Sequence, residues 1–198
     1  MALVNTQVYG WTMSKRLSES DWIDAGLRVL ASRGFHVLKA EPLAKELGVS
    51  RGSFYWHFAD VEAFHRRVIA HWKALATETV IAEIEDEQPL EMRLPALLRR
   101  ALSAEPALEI AMRSWAAAYD AAAAATEEVD RRRRAYLTQI LTECGTGPAL
   151  AETRAAILYW TYLGCALTGT KPAGRQLDIV VEELCALGSG RISREHTR

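Results

Sequence analysis

The sequence predicts an all-α protein of about nine helices. A small N-terminal unit of three helices, built around a helix-turn-helix, precedes a larger C-terminal helical region. Three observations carry this prediction. Apolar residues recur at i, i+3 and i+4 through most of the chain. Long stretches are rich in Ala, Leu, Glu and Arg, which favour helix. Only six Pro and twelve Gly interrupt the 198 residues, too few for a turn-rich all-β fold.

The first helix is expected to start at Ser18, with Asp21 three residues on in a capping-box spacing. Ile23, Leu27 and Leu30 form its apolar stripe, and Gly34 ends it where a left-handed residue is usual. Pro42 suits the first turn of a second, short helix, because its missing N–H is no loss there. Leu43 and Leu47 give that helix one apolar face, Gly48 stops it, and Ser50 is placed to cap a third helix from Arg51 to about His57. Two short helices joined by a three-residue turn are the signature of a helix-turn-helix. The spacing has steric reasons. Ala44 is small where the helices cross, Gly48 permits positive φ, and Val49 and Phe54 lock the crossing angle.

A long fourth helix is expected from Asp60 through Phe64, Val68, Trp72 and Leu75 to about Glu85, broken by Gln88-Pro89. Further helices are expected at about 90–103, 106–118, 120–144, 149–169 and 175–187. Their breaks are Glu105-Pro106, Asp120, the segment Gly145 to Pro148, and Gly169 to Gly174. The expected division is a flexible arm over 1–16, a helix-turn-helix domain over 17–64 and a second helical domain over 65–198. Met13 offers an alternative start to Met1.

Composition narrows the function classes. Half of the residues are apolar (49%) and 25% are charged, so the chain can bury a core. Three widely spaced cysteines, Cys144, Cys165 and Cys185, form no disulfide or metal-ligand pattern, which fits a reducing cytoplasm. The uncharged stretch from Ala155 to Thr170 is too short to span a bilayer, so no membrane role is expected. Net charge is −1, but residues 1–72 hold nine Lys/Arg against seven Asp/Glu, a slight basic excess towards a polyanion. No enzyme and no cofactor is expected. His57, His65 and His71 miss the i, i+4 spacing of a helical metal pair, and no phosphate loop or nucleophile elbow is present.

Gly34-Phe35 and the run Leu43-Ala44-Lys45-Glu46-Leu47-Gly48-Val49-Ser50-Arg51-Gly52-Ser53-Phe54-Tyr55-Trp56-His57-Phe58 resemble the DNA-binding segment of TetR-family transcriptional regulators. Tyr55-Trp56-His57-Phe58 is the most specific part, and the resemblance covers roughly residues 17–64. It implies a cytoplasmic homodimer that binds a double-stranded, pseudo-palindromic operator and is released from it by a small molecule. Carried over by position, Arg51, Gly52, Ser53, Tyr55, Trp56 and His57 would face DNA. The chemistry agrees: Arg51 can pair bidentately with guanine, and Tyr55 and His57 carry donors for phosphate oxygens. Trp56 reads equally as a contact for a thymine methyl or as core, and His57 as a contact or a plain helix-end residue. Phe54 and Phe58 read as core.

Two positions depart from the family pattern. Leu38-Lys39-Ala40 stands where a Ser or Thr cap is common, and Lys39 opposes the helix dipole, so Lys39 is expected to face a phosphate. Val61 stands where a phosphate-binding Lys is common, leaving His65, Arg66 or Arg67 to compensate. Lys15 and Arg16 are placed like a minor-groove arm.

In the second domain, helix 149–169 is apolar nearly all round and must be covered on two faces. It and the following helix are the expected dimer interface, through Leu158, Tyr162, Ala166, Val180, Val181 and Leu184, with Ile179 displaced to another face. An apolar or aromatic effector is expected in a cavity lined by Trp72, Met92, Met112, Trp115, Tyr119, Tyr136 and Tyr159, with Leu75 beside them; each aromatic reads equally as ordinary core. Arg131 to Arg134 are expected to be a solvated face paired with Glu127, Glu128 and Asp130. The alternatives are a constitutive or architectural DNA-binding dimer with no effector, or a small helical enzyme.

Overall fold

Ser18 starts α1 (Glu19–Arg33) with a capping box: its hydroxyl accepts from the Asp21 N–H, and the Asp21 carboxylate accepts from the Ser18 N–H at 2.7 Å. The computed structural model describes residues 17–189, so the expected arm, with Lys15, Arg16 and Met13, lies outside the described residues. A 3-10 turn (Phe35–Val37) leads to α2 (Ala40–Glu46), the Gly48 turn with φ of 67°, and α3 (Arg51–Tyr55). The expected first and second helices stand as drawn. The third is shorter than expected, because Trp56 and His57 continue only as a turn, and the Ser50 hydroxyl makes no capping bond.

α4 (Val61–Ala76) crosses α1 so closely that a Cβ on Gly26 would lie 2.7 Å from Phe64 Cζ. Glycine at 26 is therefore a packing requirement. The long fourth helix divides. Thr77 leaves helical geometry (φ −132°, ψ −82°) and α5 (Glu78–Glu87) follows it. Two competing bonds explain the break: the Thr77 hydroxyl donates to the Lys73 carbonyl at 2.7 Å, and Arg133 Nε donates to the Ala76 carbonyl at 3.0 Å. Apolar periodicity runs straight through the position, so the pattern hid the break.

The remaining helices match expectation: α6 (Leu90–Ser103), α7 (Ala107–Ala116), α8 (Asp120–Glu143), α9 (Pro148–Thr168) and α10 (Arg175–Ser189). Ten α-helices result among the described residues, and no strand. They share two cores. The first gathers Trp22, Leu30, Leu43, Phe54 and Phe64 with Met112, Trp115 and Val129. The second gathers Ile81, Leu98, Tyr136, Ile140, Leu158 and Val181. α8 enters both, through Val129 at one end and Ile140 at the other, and so ties the helix-turn-helix to the rest. The boundary expected after residue 64 falls within α4, whose Phe64, Val68 and Trp72 all belong to the first core.

Candidate nucleic-acid interface and ligand cavity

Phe54 fixes α3 from below. It is fully buried and packs edge-on to Trp22, with ring centroids 5.4 Å apart, and against Phe58 and Phe64. With its inner side anchored, α3 turns Arg51, Gly52, Tyr55 and Trp56 outward, while Ser53 and His57 are half-buried. Trp56 is 81% exposed and therefore belongs to the surface, not the core. Arg51 Nη2 donates to the Tyr55 hydroxyl at 3.2 Å, and the guanidinium lies 5.6 Å from the ring centroid. This contact pre-orients both side chains and leaves other guanidinium edges open.

A surface groove of about 900 Å³ runs between α2 and α3, lined by Arg33, Lys39, Lys45, Arg51 and Tyr55 with Glu41 and Glu46. Lys39 is exposed at the N-cap position of α2 and makes no capping bond. Arg33 and Lys45 went unnoticed in the sequence; Arg33 is turned to this groove by its 2.7 Å pair with Glu46. The residues expected to compensate for Val61 each have a partner within the chain. His65 Nε2 meets the Leu38 carbonyl at 2.8 Å, Arg66 pairs with Glu62 at 2.9 Å, and Arg67 pairs with Glu19 at 2.6 Å.

His65 sits edge-on to Trp115 at 5.1 Å and to Tyr119 at 5.9 Å, where the helix-turn-helix meets α7. Burial pushes its imidazole below the usual histidine value, against the opposing pull of the Leu38 carbonyl. The folded state thus disfavours protonation relative to the unfolded chain. Stability is fully present above the unfolded value of about 6.5 and declines as pH falls from there towards the lower folded value. Urea unfolding between neutral and mildly acidic pH is expected to show that decline in the wild type and a shallower one in His65→Gln. Parallel profiles would contradict the assignment.

The second region holds a cavity of about 320 Å³ between the end of α4 and helices α5 to α9. Of the expected lining, Trp72, Leu75, Tyr136 and Tyr159 do border it. Met92, Met112, Trp115 and Tyr119 do not. Met92 is exposed at the start of α6. Met112 and Trp115 are buried in the first core because α7 turns its apolar face to α1, and Tyr119 stacks on Trp115 at 5.6 Å.

The polar wall of the cavity was missed. Glu109, only 5% exposed, accepts from Arg113 Nε at 2.8 Å and from Arg133 Nη1 at 3.0 Å. Arg113 also grips Asp130 through two bonds, 2.7 Å and 3.2 Å, and the Tyr159 hydroxyl donates to Asp130 at 2.6 Å. Burial works against the charged forms of Asp130 and both arginines. The hydrogen bonds and opposite charges prevail, holding Asp130 below its ordinary value and raising Arg113 and Arg133. The run Arg131 to Arg134 is thus not one solvated face: Arg133 reaches inward, and Arg132 pairs across to Glu78 at 2.8 Å. The available signal was a carboxylate, Glu109, set among Leu108, Ile110, Ala111 and Met112 with Arg113 four residues on.

The expected dimer residues divide by burial. Leu158, Ala166 and Val181 are buried within their own chain, Tyr162 borders the cavity, and Val180 and Leu184 are half-buried against the second core. The exposed apolar side chains of α9 are instead Leu150, Ile157, Trp160 and Leu167, joined by Ile179 on α10. A helix apolar all round gives no signal of which face points inward.

No helix among the described residues is long and apolar enough to cross a membrane. Residues 23–67 match the family described as bacterial regulatory proteins, tetR family. No curated protein sequence is significantly similar to the chain. Several solved structures share its fold. The reduced form of NemR from E. coli is 19% identical, with a TM-score of 0.72 over 85% of this chain and 96% of that one. FadR from Bacillus subtilis, in complex with stearoyl-CoA, is 19% identical, with a TM-score of 0.63 over 87% and 99%. A regulator from Saccharomonospora viridis, in complex with choline, is 18% identical, with a TM-score of 0.63 over 84% and 93%.

Proposed function

We propose that this chain, whose residues 23–67 match the tetR family of bacterial regulatory proteins, acts as a homodimeric repressor released from a pseudo-palindromic operator by a small molecule. The carrying observation is the outward row Arg51, Tyr55 and Trp56 on an α3 anchored by Phe54. Arg51 supplies a fork for a guanine edge and Trp56 an apolar face for a sugar or thymine methyl. Gly52 lets the backbone approach, and Ser53, Tyr55 and His57 bring donors to phosphates. Lys39 and Lys45 extend the contact along the groove.

The dimer is assigned to the exposed side of α9 with α10, and the unit over 17–64 to DNA reading. Ligand control is supported by the cavity and by the regulators of the same fold solved with stearoyl-CoA and with choline. α4 is the connecting lever. Phe64 and Val68 lie under α1, while Trp72, Leu75 and Ala76 border the cavity. A ligand that displaces the end of α4 therefore moves the helix on which the reading head rests. Ligand and duplex must then weaken each other's binding by the same factor.

The test is duplex binding as a function of salt. The wild type should bind at low ionic strength with a steep loss as salt rises. Lys39→Ala should lower the log–log slope by about 0.9, the value for one phosphate contact. Failure of the wild type to bind any duplex at low salt contradicts the reading; an unchanged slope removes Lys39 from the contact.

A further inference from the structure

We propose that the cavity takes an uncharged, largely apolar molecule that presents one hydrogen-bond-accepting oxygen to Arg133. The proposal rests on reading the cavity as the effector site and adds the chemical class of the effector. Four charged residues border the cavity, and each is already neutralised. Glu109 lies between Arg113 and Arg133, Arg100 pairs with Glu83, and Glu105 pairs with Lys171. A charged ligand would lose its hydration without finding an unpaired countercharge.

The free charged hydrogen-bonding capacity of the inner wall has one sign. Both Glu109 oxygens are engaged, Oε1 by Arg113 and Oε2 by Arg133. Behind the wall, both Asp130 oxygens are engaged as well, by Arg113 and Tyr159. Arg133 uses Nε on the Ala76 carbonyl and Nη1 on Glu109, and its Nη2 meets no acceptor among the described residues. The Tyr162 hydroxyl beside it has only a long 3.4 Å contact to Glu109. The wall therefore offers the Nη2 donor of Arg133 together with the hydroxyls of Tyr162 and Tyr136, the latter buried with no partner among the described residues, which can donate or accept; its charged acceptors are already engaged. A cation would meet the guanidinium with no carboxylate to receive it. An anion would meet the Glu109 carboxylate, fixed 3.0 Å from the same guanidinium. A neutral carbonyl, ether or nitro oxygen can take the Nη2 donor while its apolar body lies on Trp72, Leu98 and Leu137. A cavity of about 320 Å³ suits a compact molecule of this kind.

Four ligands of one shape separate the possibilities: naphthyl methyl ketone, ethylnaphthalene, naphthoate and naphthylmethylammonium. Each is titrated calorimetrically into the full chain. The ketone is expected to bind tightest, the hydrocarbon about tenfold more weakly, as a bond to a charged donor requires, and both ions more weakly still. Arg133→Lys is expected to bring the ketone close to the hydrocarbon while leaving the hydrocarbon unchanged; the wild-type series decides the matter even if this variant does not fold. Tightest binding by either ion, or equal binding of ketone and hydrocarbon, overturns the ligand class and leaves the effector reading standing. Binding of the ketone without release of bound duplex upholds the ligand class and overturns the effector reading. No binding by any of the four overturns both.

Discussion

Glu109→Leu is expected to destabilise the fold by about 3 kcal/mol, measured by urea unfolding, because it removes the buried acceptor shared by two partly buried guanidinium groups. Arg113 would keep Asp130, but Arg133 would keep only the Ala76 carbonyl and the Tyr162 ring, with no carboxylate for its charge. Surface pairs set the comparison. Deleting Glu62, whose partner Arg66 is exposed, should cost less than about 1 kcal/mol. The double variant Glu109→Leu with Arg133→Leu should recover part of the loss, since no guanidinium is then stranded at that position. A cost for Glu109→Leu as small as that of the surface pair would contradict the geometry. The effect also bears on function, because Arg133 holds the last carbonyl of α4, the helix that connects cavity and reading head.

Trp160→Asp is expected to leave the fold of one subunit intact and to break the proposed dimer. Its side chain is 64% exposed, so the substitution removes little internal packing. It lies on the side of α9 that carries Leu150, Ile157 and Leu167 to the surface, a contiguous apolar face of the kind that marks an interface. A charge there must be desolvated on association. Loss of the dimer removes the second reading head, and with it the avidity of paired binding, on the order of a hundredfold or more in operator affinity. Light scattering should report half the wild-type mass, with unchanged helical circular dichroism. A variant of unchanged mass and affinity would remove the interface from this face.

Helices and caps were legible in the sequence because their causes are local. Ser18 with Asp21, Gly34, Pro42 and Gly48 each act within one turn of chain. The helix-turn-helix was legible for the same reason, since Ala44, Gly48, Val49 and Phe54 settle its angle in a dozen residues. The break at Thr77 was not, because Arg133, 57 positions from Ala76, holds the carbonyl that ends α4. The polar network at the cavity was hidden likewise: Glu109, Arg133 and Tyr159 on the wall, and Arg113 and Asp130 behind them, come from three helices. Met112 and Trp115 were assigned to the cavity because aromatic and apolar spacing identifies a buried face but not which core it enters. Trp56 could be read either way until Phe54 and Phe58 were found to fill the space beneath α3.

Selection of bound duplexes from a random pool tests most directly whether a pair of Arg51–His57 segments reads DNA. Enrichment of an inverted repeat, with half-site centres about 10 base pairs or a multiple of that apart and two chains per duplex, is the expected result. Recovery of no preferred duplex, or of single half-sites each holding one chain, would contradict it.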